Sequence, residues 1–171
     1  AAQRVGRVLL CVQKPLLRLL EVSGFQNLVT FDDALPDHDV QSSLADLPAI
    51  FGFGLQSLET KTPYLRADEG LVVQWQKRLD AVAGFKIGIA FQGNPQFPGD
   101  QFRSIPLSTF EPICRLPGVQ LISLQKHSGC EQLDAWAERM RILRYDDLLD
   151  VEQGSFMDTA ALIRSLDLVI T

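Results

Sequence analysis

Gly93 and Asn94, followed by Arg103 and Ser104, have the residue types of an anion-binding loop. Glycine lets backbone amides come close to a ligand, and asparagine tolerates left-handed backbone. Amides exposed at such a turn can cradle phosphate oxygens. Arg103 can give a phosphate a bidentate contact, and Lys126, which follows Gln125, can give it a point charge. Each feature also has a plainer reading. Gly93-Asn94-Pro95 is equally an ordinary turn, and Arg103 and Lys126 are equally solvated charges. His127 beside Ser128 reads as a solvent-facing helix start before it reads as a catalytic base. Asp158 is first a helix cap and only second a ligand group.

Other polar clusters carry less. Asp146, Asp147 and Asp150 are interleaved with Leu148, Leu149 and Val151, the pattern of a solvated face rather than a metal site. Asp32, Asp33, Asp37 and Asp39 read as a surface loop. Cys11, Cys114 and Cys130 form no CxxC pair and no metal-ligand spacing with His38 or His127, so buried thiols in a reducing compartment are expected and no metal site is. Gly52-Phe53-Gly54 follows a helix-like segment and lacks the strand–turn–helix context of a dinucleotide fingerprint. There is no Walker A loop and no G-x-S-x-G elbow.

The elements that must position these residues follow from hydrophobic patterning. Arg7–Val12, Leu28–Phe31, Lys86–Phe91, Val119–Leu124, Arg141–Arg144 and Asp167–Thr171 read as short strands. Helices are expected over Pro15–Val22, from Asp68 as N-cap to about Val82, from Ser128 to about Met140, and over Thr159–Leu166 capped by Asp158. A weak helix falls within Val40–Phe51. Ser108-Thr109-Phe110-Glu111 and Ser128-Gly129-Cys130-Glu131 have the spacing of capping boxes. Glu59–Pro63 reads as a connector, and a boundary is expected near Arg66. Alternation of strand and helix implies parallel βαβ units. Ligands of open parallel sheets bind beyond the carboxyl ends of the strands. That rule selects the 92–104 loop, the 125–127 segment and Thr171.

Composition bounds the alternatives. The chain has 171 residues, 46% hydrophobic and 22% charged, within the globular range. Sixteen basic against twenty-one acidic residues, with no basic run, leave no electrostatic footprint for nucleic acid. No apolar run approaches the roughly 20 residues of a membrane-spanning helix. A cytoplasmic protein is expected. The first residue is Ala, and Leu168-Val169-Ile170-Thr171 ends within an apolar run, so the chain reads as a piece of a longer protein.

An ordered set of short motifs resembles a known family. Phe91-Gln92-Gly93-Asn94-Pro95, Arg103-Ser104-Ile105-Pro106-Leu107, Ser123-Leu124-Gln125-Lys126, Asp158-Thr159-Ala160-Ala161-Leu162 and Leu166–Thr171 occur in sequence. Upstream, Val12-Gln13, Leu47-Pro48 and Pro63–Asp68 also fit. Together they resemble the glycosyltransferase-like domain that follows tetratricopeptide repeats in many bacterial proteins. That domain is similar to O-GlcNAc transferases and to ADP-heptose:lipopolysaccharide heptosyltransferases. The resemblance implies a GT-B architecture of two Rossmann-like domains. Residues 1–66 would be the end of the N-terminal, acceptor-side domain, and 67–171 a linking helix and the first part of the donor-binding domain. It further implies a nucleotide-sugar donor, no other cofactor, and a protein or glycan acceptor. Gly93, Asn94, Arg103 and Ser104 would face the donor diphosphate. Gln125 and Lys126 would lie near the nucleotide or sugar, and Asp158 and Thr159 at a helix start near the nucleotide.

Two departures bear on activity. The family carries a His-Lys-Asn-Asp-type stretch after Gly-Asn-Pro, whereas this chain has Phe97-Pro98-Gly99-Asp100 and so lacks the lysine. The family also continues after the last strand into a helix start that completes the diphosphate site, and the present chain ends before it. The expected function is therefore part of a glycosyltransferase, inactive without the rest of its parent chain. No catalytic base is assigned; His38 and Asp39 are only conceivable candidates. The alternative is a non-catalytic binding or scaffold module that kept the fold. A third reading is a nucleotide-binding Rossmann domain of other chemistry.

Overall fold

The computed structural model describes residues 6–54 and 62–171 of the chain. It is a mixed α/β protein whose sheets are parallel, in two compact units, Ala1–Arg66 and Ala67–Thr171. Residues 59–61 of the expected connector, and Val5 ahead of the first strand, lie outside the described residues.

The first unit is a small βαβ arrangement. Strands β1 (Leu10–Val12) and β2 (Leu28–Thr30) pair in parallel, Cys11 opposite Val29. Between them a 3₁₀ turn, Lys14–Leu16, leads into α1 (Leu17–Val22), with Pro15 in the turn where its missing N–H costs nothing. Beyond β2, Asp33 Oδ2 accepts from both the amide and the hydroxyl of Thr30, at 2.7 and 2.8 Å. Those two bonds hold the Asp33 carboxyl below the usual carboxylate range. A single helical turn, α2 (Leu47–Ile50), follows. Only Val12, Leu19 and Thr30 are buried among this unit's described residues, while Phe31, Val40, Leu44 and Ile50 stand in solvent.

The second unit carries a proper core. Helix α3 (Glu69–Leu79) starts as expected, the Asp68 carboxylate accepting from the Leu71 amide at 3.0 Å. It buries Leu71, Val72, Trp75 and Leu79 along one stripe. The sheet that follows has the order β4 (Val119–Ser123), β3 (Phe85–Ile89), β5 (Leu168–Ile170), all parallel. Ile87, Ile89 and Leu121 enter a core with Phe91, Leu107 and Phe110 and with Leu133, Ala137 and Met140 of α5 (Cys130–Met140). Strand alternation turns Gly88 and Ile122 to the opposite face. A Cβ on Gly88 would lie 2.5 Å from Leu166 Cδ1, just beyond α6 (Met157–Ile163), so this glycine lets that segment pack directly on the sheet.

Four local expectations change. The 141–144 strand reduces to one parallel bridge, Ile122 with Leu143. Arg141 closes α5 in the left-handed region, φ 52°, its N–H donating back to the Ala137 and Glu138 carbonyls, and so cannot extend into a strand. Neither capping box forms whole. Pro106 leads a 3₁₀ turn, Leu107–Phe110, that merges into α4 (Glu111–Cys114), and the Glu111 carboxylate goes instead to Arg115 and Arg139. In the second box Glu131 reaches back, but to the Gly129 amide at 2.9 Å, and Gly129, φ 92°, replaces Ser128 as N-cap. Asp158 does not cap α6: the helix starts two residues earlier than expected, at Met157, and the Asp158 carboxylate takes the Trp75 indole N–H.

Candidate functional site

The sheet of the second unit changes direction at β3. From β3 the chain moves to β4 and then to Leu143 on β4's far side, and returns to place β5 against the other edge of β3. The carboxyl ends of β3 and β5 thus meet where the strand order reverses, the switch point at which open parallel sheets bind ligands. The Ala90 amide still donates to the Ile170 carbonyl at 3.0 Å, which holds the two strand ends together there.

The loop leaving β3 at this point is built around Asp100. A 3₁₀ turn, Asp100–Phe102, brings the chain back on itself, and the Ile105 amide returns to the Phe91 carbonyl at 2.9 Å. Asp100 is buried, and its carboxylate accepts from Ser104 Oγ at 2.8 Å and from Arg103 Nε at 3.3 Å. Ser104 Oγ in turn accepts from the Gly93 amide at 2.9 Å. A Cβ on Gly93 would stand 2.4 Å from Asp100 Oδ1 and 2.9 Å from Arg103 Nη2. Gly93 is therefore required by close approach of the Asp100–Arg103 pair. Positive φ plays no part, since neither Gly93 nor Asn94 adopts it. Asn94 closes the next turn, its Oδ1 accepting from the Gln96 amide and its carbonyl from Phe97.

Arg103 is the cation this loop presents. Its guanidinium lies over the Phe97 ring, 4.7 Å from the centroid, and its side chain is 53% exposed. Neither terminal nitrogen has an acceptor among the described residues. One nitrogen is thus anchored and the outer edge is open to an oxyanion.

Gln125 lies next to this loop but is fully engaged. Its Oε1 accepts from the Phe91 and Gln92 amides, at 2.9 and 3.1 Å, and its Nε2 donates to the Gln92 and Ser128 carbonyls, at 2.8 and 2.7 Å. The buried amide thereby ties the end of β3 to the turn before α5. Gln132 extends the same network, donating to Gln92 Oε1 and accepting from the Leu107 amide.

The remaining expected residues form a second group. Lys126 Nζ donates to the Leu149 and Asp146 carbonyls, at 2.5 and 3.4 Å, stapling the 145–149 turn. Asp150 accepts from the amide and hydroxyl of Thr159. Asp158 accepts from the Trp75 indole N–H at 2.8 Å and from the Asp150 amide at 3.1 Å. Gln125, Lys126, Asp158 and Thr159 therefore all spend side-chain groups on the fold itself. Beside them Arg144 pairs with Asp134 and Asp146, and holds the Asp146 carboxyl below its ordinary value. Burial pushes the Tyr145 hydroxyl up, where its ring meets Trp75 edge-on at 5.3 Å. Burial also raises the Cys130 thiol. An open depression of about 300 Å³ is lined by Arg144, Tyr145, Asp146, Asp147 and Leu148 and by none of the expected residues. Among the described residues no cluster of His, Cys, Asp and Glu could hold a metal ion, and no helix is long and apolar enough to cross a membrane.

Gln92, Phe97 and Asp100 fall in the 92–104 loop selected from the sequence, but Phe97 and Asp100 carry no binding role in that reading. The signal for Asp100 was present in its spacing, three and four residues before Arg103 and Ser104, which places a carboxylate one helical turn from both. Comparison of the chain with protein-family models, with curated proteins and with solved structures finds no match.

Proposed function

We propose that this chain is part of a glycosyltransferase of GT-B architecture, and that the Gly93–Ser104 loop receives the diphosphate of a nucleotide-sugar donor. The observation that carries the reading is Arg103: an anchored guanidinium with an open outer edge, at the carboxyl end of β3 and at the switch point of a parallel sheet. The ordered resemblance to the glycosyltransferase-like domain supports the same placement. In such a site catalysis is positioning of donor and acceptor together with stabilisation of the negative charge that develops on the leaving diphosphate. Here Arg103 supplies the positive charge that opposes it, and Asp100 and Ser104 fix the loop that carries the guanidinium. The acceptor is a protein or glycan hydroxyl. Titration of the chain with UDP, GDP and ADP tests the reading. Binding of at least one, weakened tenfold or more by Arg103→Ala with unchanged stability, is the expected result; equal affinity in the variant refutes it.

A second reading, a scaffold module that kept the fold without chemistry, is favoured by a different observation. Gln125, Lys126, Asp158 and Thr159 are all committed to intramolecular hydrogen bonds. A folded chain that binds none of the three nucleotides supports that reading.

A further inference from the structure

We propose that Phe97 is a positioning residue for Arg103, a shelf that fixes the guanidinium plane so that its open edge meets an oxyanion; this rests on the reading of Arg103 as the diphosphate contact. Three surfaces define where the guanidinium lies. Asp100 takes Nε at 3.3 Å, which sets the height of the group above the loop. The Phe97 ring lies beneath one face at 4.7 Å, which sets its tilt. Gly93 passes so close that a Cβ there would come within 3.0 Å of both Nε and Nη2. A guanidinium held on its Nε and on one face can still present its terminal nitrogens, and it keeps little rotamer freedom to lose when it binds.

The ring is itself held. A Cβ on Gly99 would lie 2.7 Å from Phe97 Cε1, so the Pro98-Gly99 turn presses backbone against the ring edge. The Phe97 amide donates to the Asn94 carbonyl at 3.0 Å, and its carbonyl accepts from the Asp100 amide at 2.9 Å. The residue that carries the shelf and the residue that anchors Nε are thus joined through one short turn. Half of the Phe97 surface remains in solvent, so hydrophobic burial is an incomplete account of an aromatic residue at this point. Stacking under a cation explains it directly, with an attraction that an aliphatic side chain of similar size does not supply.

The test uses the full 171-residue chain, inorganic pyrophosphate as probe, and NMR observation of the Arg103 Nε–H resonance. In the unsubstituted protein that proton is expected upfield of the other arginines because of the Phe97 ring current. Phe97→Leu removes the upfield shift and weakens pyrophosphate binding about three-fold, the scale of an exposed cation–π contact. Phe97→Trp keeps the shift and binds pyrophosphate within twofold of the original. Arg103→Ala abolishes binding whatever stands at 97. A structural role alone would not separate Leu from Trp in this way while both fold. If Arg103→Ala abolishes binding and Phe97→Leu leaves affinity and shift unchanged, the shelf is refuted and the diphosphate reading stands. If Arg103→Ala binds pyrophosphate like the original, or the original does not bind it, both are refuted.

Discussion

Replacing Gln125 by methionine, which is close in length and cannot hydrogen-bond through its side chain in the same way, should unfold the second unit far more easily. Four backbone groups lose their partner: the amides of Phe91 and Gln92 and the carbonyls of Gln92 and Ser128. Leaving a buried backbone group unpaired costs on the order of 1–3 kcal/mol. Phe91 and Gln125 are buried, whereas Gln92 and Ser128 are reached in part by water, which can replace some of what is lost. A net loss of about 3 kcal/mol follows from counting the buried Phe91 amide at the top of that range and leaving the other three groups to water. Both tryptophans, Trp75 and Trp136, lie in the second unit, so tryptophan fluorescence in urea follows this unit alone. With a denaturant slope of roughly 2 kcal/mol per molar, the midpoint should fall by about 1.5 M. A Gln125 whose business was only to touch a ligand would leave the midpoint where it was. A fall of less than about 0.25 M, near 0.5 kcal/mol on the same slope, would refute the clamp and return Gln125 to the ligand.

Three further outcomes are expected. Trp75→Phe keeps an aromatic ring in α3 but leaves Asp158 Oδ1 without its donor, and should cost about 1–3 kcal/mol in chemical denaturation; a neutral result would show that the bond is not maintained in solution. Gly88→Ala places a methyl 2.5 Å from Leu166 and 2.8 Å from Leu124, both flexible side-chain ends, and should destabilise by about 1–3 kcal/mol, read as a lower melting temperature. The Asp146 carboxyl is depressed by Arg144, so its contribution is full above the ordinary aspartate value near 3.8 and is lost as pH falls through the lower folded value. Asp146→Asn should therefore flatten the loss of stability below pH 4, and an unchanged acid limb in urea midpoints would contradict the pairing.

The strands were legible because a parallel strand buried on both faces shows as a run such as Lys86–Phe91 or Val119–Leu124. Their carboxyl ends, and with them the 92–104 loop, followed by rule. What sequence could not show is where the polar side chains turn. Lys126 finds its acceptors 20 and 23 residues away, Gln125 reaches back 33 and 34 residues to backbone, and Asp158 meets Trp75 across 83. Those partners are chosen by tertiary packing, and most are backbone atoms that carry no residue signature. The two capping boxes failed for a local reason: Pro106 and Gly129 fixed the helix entries, and Arg115 with Arg139 outcompeted the backbone for Glu111. Arg103 kept its expected exposure because Asp100 takes only its Nε, leaving the outer edge in solvent.

Binding of a nucleoside diphosphate to the Gly93–Ser104 loop is read most directly by mapping the bound nucleotide onto the amide spectrum of the full chain. Shifts are expected to concentrate in the loop from Gln92 to Ile105, with the Arg103 side chain foremost, and to be small at Lys126, Asp158 and Thr159, whose groups are already bound to the fold. Shifts centred instead on the 145–159 segment, or no shifts at saturating nucleotide, would contradict it.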